Sequence, residues 1–167
     1  TFPSVFMLCV LILFFSGSFS LRAQDLLKRN LIMCLAIPGQ VLEIFKNSKG
    51  SGELDYVTCW YKKAAEYIYN NMQTNAAFVS TNSITQGNQV GFLWPTIFSS
   101  GVQISFAHKT FKWSNEARGI AAVYVVIVGF CKSDARIKKL YTYDKVDGDP
   151  HLELVKNINP YLIEGNN

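Results

Sequence analysis

Ten consecutive residues, AAVYVVIVGF from Ala121 to Phe130, carry no charge and are dominated by β-branched side chains. A run of that length and composition, bounded by polar stretches, predicts a strand buried on both faces, and so a strand in the interior of a sheet. The rest of the chain must then supply the neighbouring strands and the layers that cover them. NAAFVSTNSI (Asn75–Ile84) predicts a buried strand over Ala76–Ser80 that runs into a polar loop. GVQISFAH (Gly101–His108) alternates apolar and polar residues as a second strand should. KKLYTYDKV (Lys138–Val146) predicts a fourth, closed by a turn at DGDP, Asp147–Pro150.

Helical periodicity fills the intervals. Leu54, Val57, Tyr61, Ala64, Ala65 and Ile68 fall on one stripe, which predicts a helix over residues 55–69 with Lys62, Lys63 and Glu66 off the stripe. GNQVGFLWPTIFSS (Gly87–Ser100) predicts a helix ended or interrupted near Pro95. Strand–helix–strand order predicts an α/β sheet. The connection over residues 114–119 is too short for a crossover helix, so the second and third strands must pair antiparallel. The expected architecture is a parallel sheet that finishes in an antiparallel hairpin.

With 167 residues, 49% of them hydrophobic, the chain suffices for one domain with a sizeable core. Its net charge of +4 permits an anionic partner without requiring one. Cys9, Cys34, Cys59 and Cys131 lie far apart, with no CxxC and no histidine nearby. That pattern indicates neither a zinc site nor a disulfide framework and fits buried thiols in a reducing compartment.

The first 44 residues read differently. Residue 1 is Thr, which leads us to expect that the chain begins inside a longer reading frame. VFMLCVLILFF (Val5–Phe15) is short for a bilayer span, and the following SGSFSLRAQ makes residues 1–23 similar to a secretory signal peptide that lacks its basic start. A buried strand or core helix is the alternative. MCLAIPGQVLEI (Met33–Ile44) resembles the N-terminus of the small hydrogenase-maturation chaperones, in which the cysteine works from the mature N-terminus. Cys34 is internal, however, and a hydrophobic segment with a Pro38–Gly39 turn, or an accidental junction of unrelated sequence, explains the same residues.

No GxGxxG, GxxxxGK[ST], HExxH or GxSxG motif is present. His108 and His151 are isolated and read as structural or surface residues. Asp147 and Asp149 lack the further ligands of a calcium loop, and NPY at Asn159–Tyr161 reads as a turn. The candidate that remains is FAHKTFKWSNEARG (Phe106–Gly119), which reads as the bend between the second and third strands. There Lys109, Lys112 and Arg118 are suited to phosphates, and Phe111 or Trp113 to stacking on a base. The competing reading is that these aromatics cover the sheet edge.

Four blocks in order, GSGELDYVTCWYKKAAEYI, AAFVSTNSITQGNQVGFLWP, ISFAHKTFKWSNEARGIAAVYVVIVGF and NINPYL, together resemble the MmeI-like type II DNA adenine methyltransferases. The resemblance runs from about Phe45 to the end. It implies a class I S-adenosylmethionine-dependent methyltransferase sheet ending in an antiparallel hairpin, here a partial one. It also implies methyl transfer from S-adenosylmethionine to the exocyclic amino group of a flipped adenine in double-stranded DNA, with no metal.

Carried over residue by residue, the resemblance gives Phe111 the far face of the flipped base and brings Trp60 against the adenine of the cofactor. Helix-to-sheet packing is an equal alternative for Trp60. Asn82 and Ser83 fall at the strand end where α/β sheets bind ligands. The family's Gly-rich cofactor loop, ribose-binding acid and catalytic Asn-Pro-Pro-aromatic motif belong before Phe45, and the sequence there lacks them. No catalytic residue is therefore assigned.

The expected organisation is an unrelated or misjoined N-terminus over residues 1–44 and the second half of a methyltransferase domain over 45–146. Residues 147–167 would begin a linker to a target-recognition domain. The expected partners are DNA, the upstream half of the methyltransferase domain and that recognition domain. The expected location is the cytoplasm, or outside the cell if residues 1–23 act as a signal. A non-catalytic nucleic-acid-binding module built on the aromatic–basic stretch is the alternative function. A secreted or chaperone-like protein, argued from residues 1–44, is a further one.

Overall fold

The apolar run forms the strand it demands, Val123–Cys131, and that strand is interior to the sheet. The computed structural model describes residues 10–12, 40–46, 50–71, 74–113, 123–132 and 136–167. In chain order the elements are β1 (Val10–Ile12), α1 (Gln40–Ile44), α2 (Thr58–Asn70), β2 (Asn75–Thr81), α3 (Gly87–Phe98), β3 (Gln103–Trp113), β4 (Val123–Cys131), β5 (Lys138–Thr142) and β6 (His151–Val155). Single 3₁₀ turns lie at Ser51–Glu53 and Asn82–Thr85.

The strands form one sheet in the order β1-β2-β4-β3-β5-β6. β4 runs antiparallel to both of its neighbours, so β2 and β3 point the same way on either side of it. β5 is parallel to β3, which gives three strands one direction. The expected antiparallel pairing of β3 with β4 is present. The expected run of adjacent parallel strands is reduced to the β3–β5 pair, because β4 is inserted between β2 and β3.

Strand parity divides the sheet into two faces. Val126, Val128 and Phe130 of β4 share one face with Phe78, Ile104, Ala107 and Leu140, and these pack in the core with Tyr61 and Ile68 of α2 and Leu93 and Trp94 of α3. Tyr61 anchors that layer. Its ring stacks on Phe130 at 5.4 Å and meets Phe78 at 5.0 Å and Trp94 at 5.8 Å. Its buried hydroxyl reaches the Ser80 hydroxyl at 3.0 Å, so the polar atom is not stranded in the core. The other face carries Ala77, Val79 and Val125, which are buried outside the helical cluster, and continues through Phe106, His108 and Phe111 of β3.

Several elements depart from the sequence expectation. α2 begins at Thr58, because residues 55–57 form a preceding turn in which the Asp55 carbonyl receives both the Thr58 N–H and its hydroxyl. α3 runs through Pro95. Proline forfeits one intrahelical bond and crowds the carbonyl four residues back, but the Pro95 carbonyl still accepts from Ser99 at 3.0 Å, and buried Trp94 and Ile97 hold the last turn in place. β3 extends to Trp113, well beyond His108, so the aromatic–basic stretch is strand up to that residue. Bulges between Ile104 and Phe106 and between His108 and Phe111 absorb the breaks in alternation that disguise it.

Residues 147–167, expected as a linker, fold onto the sheet. Val155, Ile158 and Leu162 enter the core, and β6 pairs with β5 over its whole length. The buried Lys138 ammonium ties this segment down by donating to Gln103 Oε1 at 3.0 Å and to Asn157 Oδ1 at 2.7 Å. NPY is the turn expected. Asn159 Oδ1 accepts from the N–H of Tyr161 at 3.0 Å and holds the chain where Leu162 takes a φ of 56°. DGDP likewise begins in a turn, with the Gly148 N–H donating to the Lys145 carbonyl at 2.8 Å.

At the N-terminal end, Val41 and Phe45 pack in the core, and Val10–Ile12 pairs antiparallel with β2. The remainder of the signal-like segment, and Met33 to Gly39, lie outside the described residues.

Phe106 lies across Gly129, where a Cβ would collide with its ring. We expect Gly129→Ala to destabilise the chain by about 1–3 kcal/mol in urea unfolding, as overpacking does, and to cost less in a Phe106→Ala background, where the ring is gone.

Candidate functional site

β2, β3 and β5 run in one direction, so their C-terminal ends reach the same rim of the sheet. Thr81, Val125 and Phe111 form one row across β2, β4 and β3. At ~4.8 Å per strand, Thr81 and Phe111 are separated by about 10 Å. Beyond Thr81 the chain turns at once through Asn82–Thr85. The Thr81 and Ser83 hydroxyls meet at 2.9 Å, and the Thr85 hydroxyl donates to the Asn82 carbonyl at 2.8 Å. Open-ended α/β sheets bind ligands at such a rim.

The bulge between His108 and Phe111 decides which way Phe111 faces. His108 pairs with Ile127 and Phe111 with Val125, so three steps on β3 answer two on β4. The extra residue brings His108 and Phe111 onto the same face, where uninterrupted alternation would set them on opposite faces. Tyr141 on β5 pairs with His108 and shares that face, and Tyr143 follows two residues later.

The rings make a chain of contacts. His108 lies parallel to Tyr141 with centroids 4.1 Å apart and planes 6° apart. His108 Nδ1 is 2.7 Å from the Tyr143 hydroxyl. The Tyr143 ring in turn stacks on Phe111 at 5.3 Å and 23°. Trp113 approaches Phe111 at 6.1 Å, tilted by 52°. The Lys112 N–H donates to the Val146 carbonyl at 2.6 Å, which pins the outer end of β3 to the turn after β5.

Burial lowers the pKa of His108 and raises that of Tyr143, so both are held neutral around neutral pH. Charge stands around this neutral group. Lys112 is exposed, and Lys109 is part-buried on the wall of a cleft of about 360 Å³ that Thr85, Gln86, Thr110, Tyr143 and Tyr161 also line.

The structure thus brings Phe111, Trp113, Lys109 and Lys112 together at the rim, with Asn82 and Ser83 on the strand end two strands away. Arg118 and the rest of the bend at 114–122 lie outside the described residues. Trp60 lies in the buried core between the sheet and the helices. Its indole N–H is nevertheless buried without a hydrogen-bond partner among the described residues, a donor left to offer. In the sequence His108 reads as isolated, and no motif marks Tyr141 and Tyr143 as its partners. The signal was the alternation in YTY, which gives both tyrosines one face of a strand.

Comparison with known proteins places this site in a family. Residues 39–142 match the DNA-methyltransferase domain of MmeI. DNA methyltransferase A of Bacillus subtilis (strain 168) is 45% identical over 127 residues, which are 76% of this chain and 14% of that protein. The structure of the Type IIL restriction-modification enzyme MmeI in complex with DNA is similar with a TM-score of 0.75 and 50% identity, over 77% of this chain and 17% of that one. The chain therefore spans less than a fifth of the length of either relative.

The lowered pKa of His108 has a consequence for stability. Between the ordinary value of 6.5 and the lower native value, the unfolded chain binds more protons than the folded one. Stability therefore falls as pH drops through that window and does not depend on this group above it. Urea unfolding across the window should show this slope, and His108→Gln should remove its share.

Proposed function

Because the chain belongs to the MmeI DNA-methyltransferase domain family, we propose that it forms the base-facing half of a DNA adenine methyltransferase of restriction–modification type, working in the cytoplasm on double-stranded DNA. The observation that carries this reading is the rim of the sheet. Phe111 stands in one row with Thr81 at that rim, on the face to which the bulge turns it, with lysines beside it. An adenine in duplex DNA cannot be reached by a methyl donor until it leaves the stack, and an aromatic face stabilises an extruded base by about 1–3 kcal/mol. In this reading Phe111 takes the far face of the flipped adenine. Lys109, Lys112 and Trp113 line the path of the strand, the cations on its phosphates, and Arg118, outside the described residues, is assigned the same task from the sequence alone.

S-adenosylmethionine would supply an electrophilic methyl group, which the adenine amino nitrogen accepts as it loses a proton. Among this chain's residues Trp60 is the one to meet the cofactor, and its unpaired indole donor is consistent with that role. The Asn-Pro-Pro-aromatic motif that orients the amino group and the Gly-rich cofactor loop are not in this sequence. We therefore infer that they come from an upstream half of the domain, and that a separate recognition domain reads the site.

Two measurements test this. The 167-residue chain alone, incubated with labelled cofactor and mixed DNA, should give no methylation, and turnover would overturn the fragment reading. In a full-length methyltransferase carrying this segment, Lys109→Ala and Lys112→Ala should each weaken DNA binding evenly across sequences and reduce the salt slope by ~1. In the same protein Phe111→Ala should reduce methylation more than binding. Equal losses would favour a module that only binds nucleic acid.

A further inference from the structure

A ring that stacks on an extruded base does so productively only if its own plane is fixed beforehand. Phe111 is fixed by residues the family resemblance does not assign. The bulge sets its face, and Tyr143 lies against its ring. Tyr143 is itself held at its far end by His108 Nδ1. His108 is held flat on Tyr141, within the β3–β5 pairing. Each member is braced by the next, and the last is braced by the sheet.

We propose that Tyr143 and His108 are positioning residues for Phe111, and that they act on methyl transfer through it without touching the base. This rests on the reading of Phe111 as the base-stacking residue. The groups are chosen for the task. Two phenol rings and an imidazole give large flat contacts with few rotatable bonds. The hydroxyl-to-imidazole bond fixes the rotation of Tyr143 about the sheet edge, which stacking alone would leave free to slide.

The test uses a full-length methyltransferase that carries this segment, with labelled S-adenosylmethionine and unmodified target DNA to measure transfer, and a separate duplex with 2-aminopurine in place of the target adenine to report extrusion. Tyr143→Ala should lower kcat about tenfold to a hundredfold while KM for DNA changes within about threefold, and should alter the 2-aminopurine signal. Tyr143→Phe and His108→Ala remove the same bond. They should give smaller losses of about threefold to tenfold that do not add when combined. Tyr143→Phe keeps the ring and guards against a fold lost in Tyr143→Ala.

The decisive comparison is the Phe111→Ala background, in which Tyr143→Phe and His108→Ala should have no further effect. Undiminished losses in that background would overturn the positioning role. So would wild-type kcat in Tyr143→Phe and His108→Ala while Phe111→Ala is impaired, an outcome that leaves the Phe111 reading standing. Wild-type behaviour of Phe111→Ala would sink the Phe111 reading, and this proposal with it.

Discussion

The insertion of β4 between β2 and β3 is the constraint on which the rest of the molecule depends. A strand antiparallel to both neighbours fills the gap between β2 and β3, which run in the same direction and are joined by a crossover through α3, so that their ends reach one rim. Only a strand tolerant of burial on both faces can occupy that place. Val126, Val128 and Phe130 on the helix-covered face and Val125 on the opposite face are all at most 1% exposed. Their packing fixes the register, and the register fixes the row Thr81–Val125–Phe111. A slip by one residue would move every side chain of the strand to the other face, taking Phe130 out of its stack on Tyr61 and Val125 out of line with the rim.

The two faces of the sheet then do different work. Against the helices, contacts are aliphatic and aromatic, centred on Tyr61, and they serve stability. On the other face, from β3 outward, the side chains are rings and polar groups that remain partly exposed. β3 serves both because of its bulges. Ile104 and Ala107 face the helices, whereas Phe106, His108 and Phe111 face away, and no strict alternation could place them so. The bulge is therefore the local feature by which a strand that packs in the core also turns Phe111 to the face opposite the helices.

What was legible in the sequence follows the range of the interactions involved. The buried run of β4, the stripe of α2 and the turns at DGDP and NPY are set by neighbours within a few residues, and the structure agrees with them. β3 was cut short at His108 because a bulge breaks the period on which strand recognition relies, and the lysines at 109 and 112 then read as loop. β6 was passed over because four of its five residues are exposed and it is defined only by pairing with β5. Lys138 reads as an ordinary polar residue at a strand start. Its burial depends on amide oxygens 35 and 19 residues away. The aromatic and basic character of the rim was readable from FAHKTFKW. The His108–Tyr143 bond was not, since it needs both the bulge and the knowledge that β5 lies beside β3.

That bond also explains how an aromatic and a positive charge come to share the rim of a buried sheet. A cation placed where His108 stands, half-buried against Tyr141, would lose much of its hydration, and burial resists such a charge by lowering the pKa of His108. The supporting layer is therefore made of groups that hydrogen-bond and stack while neutral. The positive charges at the rim are left to lysines, whose long stems carry them to water, where the proposed function needs them for a polyanion. Separating the two tasks lets the attraction be screened or altered by salt while the geometry beneath Phe111 stays fixed. Under the proposed function, a rim built from lysines alone would attract DNA without holding any base in a defined plane, and one built from rings alone would define the plane without drawing the strand to it.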